Sequence, residues 1–113
     1  MLMGGKTNRT KGHNFERDMR LLMRQFFPEC ETSRYANRRL DDLKVDLCNT
    51  DPFYFQCKNT ATAPNMHKLL GEMPQDTHHN VVLHKRTRKG VTVTMMLEDF
   101  VELLKSMKSE GII

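Results

Sequence analysis

Two short stretches of the chain place an acid, an amide and a lysine close together. Asp46 lies between two apolar residues, and Gln56 and Lys58 follow on alternate positions of a second stretch. Side chains alternate between the two faces of an extended strand, so Gln56 and Lys58 share one face. The opposite face is then apolar and carries Phe53, Phe55 and Cys57. A divalent-metal phosphodiesterase needs this combination of acid, neutral oxygen ligand and lysine.

The residues between the two stretches predict a hairpin. The segment Asn49-Thr50-Asp51-Pro52 is rich in turn formers, which favours an antiparallel connection between the flanking strands. The simplest register has three facing pairs: Cys48 with Tyr54, Asp46 with Gln56, and Lys44 with Lys58. A shift of one residue would send Asp46 and Gln56 to opposite faces of the sheet.

The chemistry of this site depends on oxygen ligands for Mg²⁺. Magnesium takes about six oxygen ligands and keeps several waters, so a protein supplies one or two carboxylates plus neutral oxygens. Asp46, the side-chain oxygen of Gln56 and the backbone carbonyl of Cys57 are suitable donors. Lys58 can position the attacking water and help to deprotonate it, provided that burial or a neighbouring cation lowers its pKa.

Glu16 is the candidate for a second carboxylate. It lies about 100° around a predicted helix from Phe15, at the border of the apolar stripe, so its carboxylate can reach over the sheet edge. The alternative is an ordinary surface glutamate that pairs with Arg20 one turn later.

Asp42 is a further candidate ligand. It precedes Asp46 by an even number of residues, so an extended strand would place both side chains on one face. A charged turn in which Asp41 and Asp42 lie beside Arg38 and Arg39 is the simpler interpretation.

Size and charge limit the remaining possibilities. The chain has 113 residues and a net charge of +4, with a pI near 9.1. This length suits one domain with one modest core, and the basic excess favours a polyanion such as nucleic acid, although ordinary soluble proteins often carry this charge. No apolar run approaches the roughly 20 residues that span a bilayer, and the first residues lack a signal-peptide core. We therefore expect a cytoplasmic protein with no membrane partner.

The cysteines and histidines give no further site. Cys30, Cys48 and Cys57 form neither an even disulfide set nor a zinc pair, which favours reduced, structural thiols. His78 and His79 are adjacent, so on a strand they point apart, and a solvated loop that enters a strand is the favoured interpretation.

The first half of the chain predicts a helix and three strands. Residues 1–11 are polar and basic and indicate a flexible arm, and a helix over 14–27 ends before Pro28. Its apolar stripe consists of Phe15, Met19, Leu22 and Phe26. A strand over 31–35 and a basic connection over 36–39 precede the hairpin.

The second half predicts a helix, two strands and a last helix. Pro64 opens a short helix with an apolar patch of Met66, Leu69, Leu70 and Met73. Strands follow over 79–84 and 91–94. The last helix, over 96–108, has Glu98 and Asp99 near its positive end and a stripe of Leu97, Phe100, Val101, Leu104 and Met107. The order αβββαββα predicts a single-domain α/β fold with a mixed central sheet flanked by helices.

These motifs together resemble the PD-(D/E)XK nuclease superfamily, in particular archaeal-type Holliday junction resolvases and their phage relatives. The resemblance covers nearly the whole chain and rests on Lys11-Gly12, Phe15-Glu16-Arg17, Asp46 and Gln56-x-Lys58 in this order. It implies a restriction-endonuclease-like core over 12–113. It also implies a DNA endonuclease in which Glu16 and Asp46 bind Mg²⁺ or Mn²⁺, Gln56 replaces the usual second-strand acid, and Lys58 assists the water.

The chain departs from the family pattern at two positions. The proline that usually precedes the motif aspartate is absent, since Lys44-Val45 stands before Asp46. Gln56 keeps an oxygen ligand but removes one negative charge. The Gln-Cys-Lys triplet is similar to a variant in Mrr-type restriction nucleases, so the amide does not argue for an inactive enzyme. Ser33 resembles a serine in the early strand of the resolvases, at an unexpected distance from Glu16.

Basic residues provide candidate phosphate contacts. Arg38 and Arg39 precede the metal strand, and 85–89 forms a basic hairpin tip; either cluster is alternatively a solvated turn. With two tyrosines and no tryptophan, no aromatic interleaving indicates single-strand stacking. The candidate DNA-binding residues are Lys11, Arg17, Arg34, Arg38, Arg39, Asn59, Lys85, Arg86, Arg88 and Lys89.

Three functions remain as hypotheses. The first is an endonuclease selective for branched DNA that acts as a homodimer, because a four-way junction needs two symmetric cuts and one small domain holds one site. The second is an Mrr-like or repair nuclease on linear or modified duplex. The third is a DNA-binding module that kept the fold and lost hydrolysis. If the chain were only a small structural α/β protein, the shared face of Asp46, Gln56 and Lys58 would be a coincidence.

Overall fold

Five strands form one mixed sheet whose spatial order follows the chain. In the computed structural model, which describes residues 4–113 and side chains from residue 7 onward, β3 and β4 are parallel and the other neighbours are antiparallel. The strands are β1 (Glu31–Thr32), β2 (Leu47–Cys48), β3 (Phe53–Thr60), β4 (His79–Arg86) and β5 (Val91–Thr94).

Five helices accompany this sheet within the described part of the chain. They are α1 (Gly4–Met23), α2 (Ser33–Ala36), α3 (Arg38–Asp42), α4 (Met66–Glu72) and α5 (Leu97–Ser109). The parallel pair β3 and β4 requires a crossover, which α4 supplies. The predicted single-domain α/β class with a mixed sheet flanked by helices is confirmed.

The first helix is longer than the sequence pattern indicated. Residues 4–11, expected as a flexible arm, are helical, while residues 1–3 of that arm lie outside the described part. No proline interrupts residues 4–23, and once the turns at Phe15 and Met19 are packed, each added residue costs little because helix propagation is cooperative.

The apolar stripe of α1 differs in its second half from the one expected. Phe15 and Met19 are buried, and Met23 and Phe27 pack against the same core. Leu22 and Phe26 are instead exposed. The helix ends at Met23, and a turn in which the Phe27 amide donates to the Met23 carbonyl redirects the chain.

The region between β1 and β2 is helical rather than extended. The strand expected over 31–35 ends at Thr32, and α2 begins at Ser33, whose amide still donates to the Asp46 carbonyl at 2.8 Å. The basic connection is likewise replaced by α3, which Asn37 caps by accepting from the Leu40 amide at 3.1 Å.

The hairpin register was predicted in part. Leu47 pairs with Phe55, as the expected register requires. The ladder does not extend to Lys44, whose φ of 68° lies in the left-handed region, so the expected pairing of Lys44 with Lys58 was wrong. The Asp46 amide donates to the carbonyl of Phe55 at 2.7 Å, which places Asp46 at the end of the pairing.

The two sheet faces carry separate cores, as strand alternation requires. Leu47, Phe55, Val81 and Leu83 pack with Phe15 of α1, and Phe53 and Cys57 join them, which confirms the predicted apolar face of β3. On the other face, Tyr54 and Val82 pack with Leu70 and Met73. The predicted apolar patch of the α4 region is therefore part of the core.

The two adjacent histidines engage different acids. The ring nitrogens of His78 lie 2.9 Å from Asp51 and from Asp76, and its ring stacks on Tyr54 with centroids 3.8 Å apart. His79 lies 2.9 Å from Asp99 of α5. Burial alone lowers the pKa of His78, but the two carboxylates raise it overall. The segment that was expected to be a solvated loop is therefore a turn that these contacts hold in place.

The last helix is placed unlike the others. Glu98 and Asp99 occupy its first turn, as expected, but no residue of α5 is buried over 97–109.

The three cysteines are unpaired, with Cys30 and Cys48 buried. Within residues 4–113, no helix is long and apolar enough to cross a bilayer.

Candidate metal and nucleic-acid site

All four residues that were expected to do chemistry line one polar cavity. Glu16 comes from α1, Asp46 precedes β2, and Gln56 and Lys58 come from β3, with Cys57 between them. The cavity measures about 430 Å³, and its other walls are Asp41, Asp42 and Lys44. The structure therefore joins residues from both faces of the sheet at the end of β2.

Asp46 is held in place by the neighbouring strand. Its Oδ2 accepts a hydrogen bond from the Cys57 amide at 2.7 Å. In a regular hairpin a backbone carbonyl of the partner strand would accept this bond, but the left-handed Lys44 has turned the chain away. The N–H and C=O of one strand residue point to the same edge, so the Cys57 carbonyl is directed to the side on which Asp46 lies.

The electrostatics of Asp46 indicate a site that a bound cation would stabilise. Burial raises the pKa of Asp46 to about 7, and the nearby Glu16 and Asp41 carboxylates raise it too, against the lowering effects of the Cys57 amide and Lys58. Burial also raises the pKa of Glu16, although Arg34 and His13 oppose the shift. Partly buried acids that repel one another are stabilised when a divalent cation binds between them.

Gln56 offers an oxygen ligand in a fixed orientation. Its Nε2 donates to the Leu69 carbonyl of α4 at 3.1 Å, which settles which end of the amide faces the helix. Its Oε1 is buried and has no hydrogen-bond partner among the described side chains and backbone. A buried oxygen that accepts no hydrogen bond is unfavourable. A bound metal ion would supply the missing partner.

Glu16 is not the surface glutamate of the alternative interpretation. Its Oε2 lies 3.3 Å from the Arg34 guanidinium, and its side chain is 13% exposed. Arg20, the expected partner one turn later, instead pairs with Glu31 at 2.9 Å. Glu16 thus faces the cavity, with Arg34 beside it.

The donor set is suited to a hard cation that keeps some of its waters. Within the described residues, no group of three or more His, Cys, Asp or Glu side chains converges as a metal site. A closed site built from such side chains is therefore not found there. Two carboxylates with the oxygens of Gln56 and Cys57 are the kind of partial shell that magnesium takes.

Two clefts lined by basic residues lie along α1 on either side of Glu16. The first, of about 660 Å³, includes Lys11, Asn59, Lys85 and Arg88, with Asp18 also in its wall. Lys11 Nζ lies 3.5 Å from the Thr87 hydroxyl and links α1 to the turn between β4 and β5.

The second cleft lies beyond Glu16 and measures about 390 Å³. It is lined by Arg17, Arg20, Glu31, Thr32, Arg34 and Tyr35. Tyr35 is 83% exposed on the short helix α2. An aromatic ring in an arginine-lined cleft is thus present, although the sequence showed no such interleaving.

The remaining candidates are distributed differently. Arg38 and Arg39 are exposed on α3, outside both clefts, and Arg86 and Lys89 are exposed near the β4–β5 turn. Asp42 ends α3 rather than sharing a strand with Asp46, yet it lines the metal cavity. Ser33 is fully buried and bonded through its amide to the Asp46 carbonyl.

Sequence reasoning did not assign Asp41, Lys44, Arg20 or Tyr35 to the site. Asp41 and Lys44 line the cavity because α3 and the left-handed turn fold back over Asp46. The signal that was available for Asp41 is its position in a dense charged segment. No local pattern marks Tyr35, because its place in the cleft depends on how α2 lies beside Arg17 and Arg20 of α1.

Comparison with protein-family models, with curated proteins and with solved structures finds no match to this chain. The class that the structure itself defines is a single-domain α/β protein with a mixed five-stranded sheet.

Proposed function

We propose that this protein is a metal-dependent DNA endonuclease of the PD-(D/E)XK type, with a restriction-endonuclease-like core. The observation that carries the proposal is that Gln56, whose buried Oε1 has no partner, lines one cavity with Glu16, Asp46 and Lys58. Four other buried polar atoms of the described residues also lack a partner, so the position of Gln56 beside two carboxylates is what distinguishes it.

The residues of the cavity have distinct roles in this proposal. Glu16, Asp46, Gln56 Oε1 and the Cys57 carbonyl would hold Mg²⁺ or Mn²⁺. When bound, the ion lowers the pKa of water and stabilises negative charge on the scissile phosphate. Lys58 shares a strand face with Gln56 and would hydrogen-bond the attacking water, while the partly buried Asp46 keeps its orientation through the Cys57 amide.

The two basic clefts support a nucleic-acid substrate. Lys11 and Arg20 are nine residues apart on α1, which is about 13 Å along a helix axis. A DNA strand rises about 3.4 Å per nucleotide along the duplex axis, so a duplex parallel to α1 would advance roughly four base-pair steps over this distance. Its phosphates would then lie within reach of both clefts, with one near the cavity.

The exposed Tyr35 favours a branched substrate over a fully paired one. A base that opens at the crossover of a branch, where stacking is interrupted, can stack on an aromatic ring, whereas a base inside a continuous duplex cannot. The arginines beside Tyr35 would hold the adjoining phosphates. The proposed substrate is therefore branched DNA such as a four-way junction, and the proposed location is the cytoplasm of a prokaryotic or phage-infected cell.

Two related functions compete with this one. An Mrr-like or repair nuclease would use the same Gln-x-Lys cavity on linear or modified duplex. A DNA-binding module without hydrolysis is favoured by the loss of the second-strand carboxylate at Gln56.

A cleavage assay separates the three functions. Labelled four-way junction, matched linear duplex and single strand are incubated with the protein in Mg²⁺, in Mn²⁺ and in EDTA. We expect paired, metal-dependent nicks on the junction, and we expect Asp46→Ala and Lys58→Ala to reduce cleavage at least about 100-fold while DNA binding persists.

Exposed variants provide the matched controls. Lys68→Ala on α4 and Glu98→Gln on α5 remove charges outside the cavity and should leave cleavage unchanged. Equal cutting of all duplexes would favour the linear-duplex nuclease. Tight binding without cutting in either metal would favour the binding module.

A further inference from the structure

Arg34 lies between the candidate metal cavity and the second basic cleft. It lines that cleft together with Arg17 and Tyr35. Its Nη2 also lies 3.3 Å from Oε2 of Glu16, and Glu16 lines the metal cavity. One side chain therefore belongs to the surface that is proposed to hold DNA phosphates and contacts an acid that is proposed to hold the metal.

The ion pair with Arg34 limits what Glu16 can offer to a metal ion. Burial raises the pKa of Glu16, and Arg34 is the main group that opposes this shift. A carboxylate oxygen that accepts from a guanidinium has less capacity left for a metal, and the guanidinium charge repels a second cation nearby. Arg34 therefore competes with a divalent cation for Glu16.

Arg34 is able to leave Glu16 for another anion. Its side chain is 40% exposed, and an ion pair with that much access to water contributes little to stability. A phosphate in the cleft would meet Arg17 and Arg34 together, and a guanidinium can bind phosphate with two parallel hydrogen bonds. Glu31, the acid in the same wall, is already paired with Arg20 at 2.9 Å.

We propose that Arg34 is a positioning residue that exchanges Glu16 for a DNA phosphate, so that DNA and metal each strengthen the binding of the other. The inference rests on the proposed function, because it requires a metal at Glu16 and DNA in the cleft. A phosphate that takes Arg34 releases Glu16 for the ion, and an ion that takes Glu16 releases Arg34 for the phosphate. By linkage, the two affinities change by the same factor.

DNA binding in EDTA tests the exchange without any metal. Fluorescence anisotropy with a labelled four-way junction should show that Glu16→Gln tightens binding at least about threefold, because Arg34 no longer has to leave a carboxylate. The same change should give little gain in the Arg34→Gln background. Asp18→Asn removes the same charge from an exposed position of α1 and is the matched control. Its effect should be equal with and without Arg34, because the two changes are independent.

Mn²⁺ titration calorimetry without DNA gives the second readout. Arg34→Gln should lower the dissociation constant of Mn²⁺ at least about threefold, because Glu16 is released and a positive charge is removed. In the Glu16→Gln background the same change should have little effect. Arg17→Gln removes the same charge from the same cleft, but Arg17 donates to Asn14 rather than to Glu16, so its effect should be the smaller one.

The linkage itself is measured in the Lys58→Ala background, which keeps the junction uncut. Mn²⁺ should tighten junction binding more strongly when Arg34 is present than when it is replaced by glutamine. A chain that binds neither Mn²⁺ nor DNA would overturn the proposed function and the exchange together. A chain that binds both, with the same effect of Glu16→Gln in the presence and absence of Arg34, would overturn the exchange alone.

Discussion

The two long helices, α1 and α5, carry similar apolar stripes but are used in opposite ways. On α1, Phe15 is 2% exposed and packs with Met19 in the core beside the sheet. On α5, the corresponding aromatic residue, Phe100, is 48% exposed and borders an open groove. An amphipathic pattern predicts that a helix has a face to cover, but it does not say which surface covers it.

The acids of the two helices differ in the same way. Glu16 follows Phe15 and is drawn into a cavity with Asp46, where burial raises the pKa of both groups. Glu102 stands in solvent beside Lys105. The difference assigns α1 to the core and the candidate metal site, and α5 to the surface of the described fold.

Truncation of the two aromatic residues should separate these roles most strongly. Phe15→Ala should lower the free energy of unfolding by about 3–5 kcal/mol, because it empties a packed core site. Phe100→Ala should cost well under that, because this side chain is already half exposed. Urea unfolding measures both effects, and equal losses would remove the distinction.

The pH dependence of stability should distinguish the acids. Asp46 has an ordinary pKa of 3.8 that is raised to about 7 in the metal-free fold. Between these values the folded state keeps a proton that the unfolded state releases, so this contribution is full below about pH 4 and is lost as the pH rises to about 7.

The comparison of wild type with Asp46→Asn isolates this contribution. The groups that face Asp46 are Glu16, Asp41 and Lys58, and they remain in both proteins. Urea titrations in EDTA should show wild-type stability falling relative to Asp46→Asn across this range. Glu102→Gln on α5 should run parallel to wild type, and an identical slope for all three proteins would contradict the assignment of a buried acid.

Two exposed aromatic residues should give the smallest and most selective effects. Tyr35→Ala should weaken binding to a branched or single-stranded DNA by about 1–3 kcal/mol, the usual value of one stacked base, and leave duplex binding nearly unchanged. Tyr35→Phe should restore the affinity. Fluorescence anisotropy in EDTA measures this without cleavage, and an equal loss on duplex would rule out stacking.

Phe100→Ala is the counterpart on α5. It should leave the binding of single strand unchanged, because Phe100 lies outside both basic clefts. A loss of binding in this variant would show that α5 also contacts the DNA.

Local patterns predicted much of the hairpin and the helices that pack on it. The pairing of Leu47 with Phe55, the apolar face of β3, the α4 patch and the strand β5 all follow from alternation, turn formers and helical spacing. The four proposed catalytic residues meet in one cavity for the same reason, since each was placed by its strand face or helix border.

Other features of the structure could not be predicted from local patterns in the sequence. Lys44 adopts a left-handed conformation although it is neither glycine nor asparagine, because the amides of Lys44 and Val45 close a turn on α3. Asp41 reaches the cavity through that turn. The stripe of α1 continues through Met23 rather than Leu22, since the end of the helix depends on where the chain must cross to β1.

The sequence by itself determined the order of the main elements, the register at Leu47 and the identity of the polar face on β3, because these depend on interactions between near neighbours. Only the tertiary structure decided that Asp46 is buried enough to shift its pKa, that Gln56 leaves an oxygen without a donor, and that α5 remains uncovered. Burial and unmet hydrogen bonds belong to the whole packed chain, so no window of the sequence contains them.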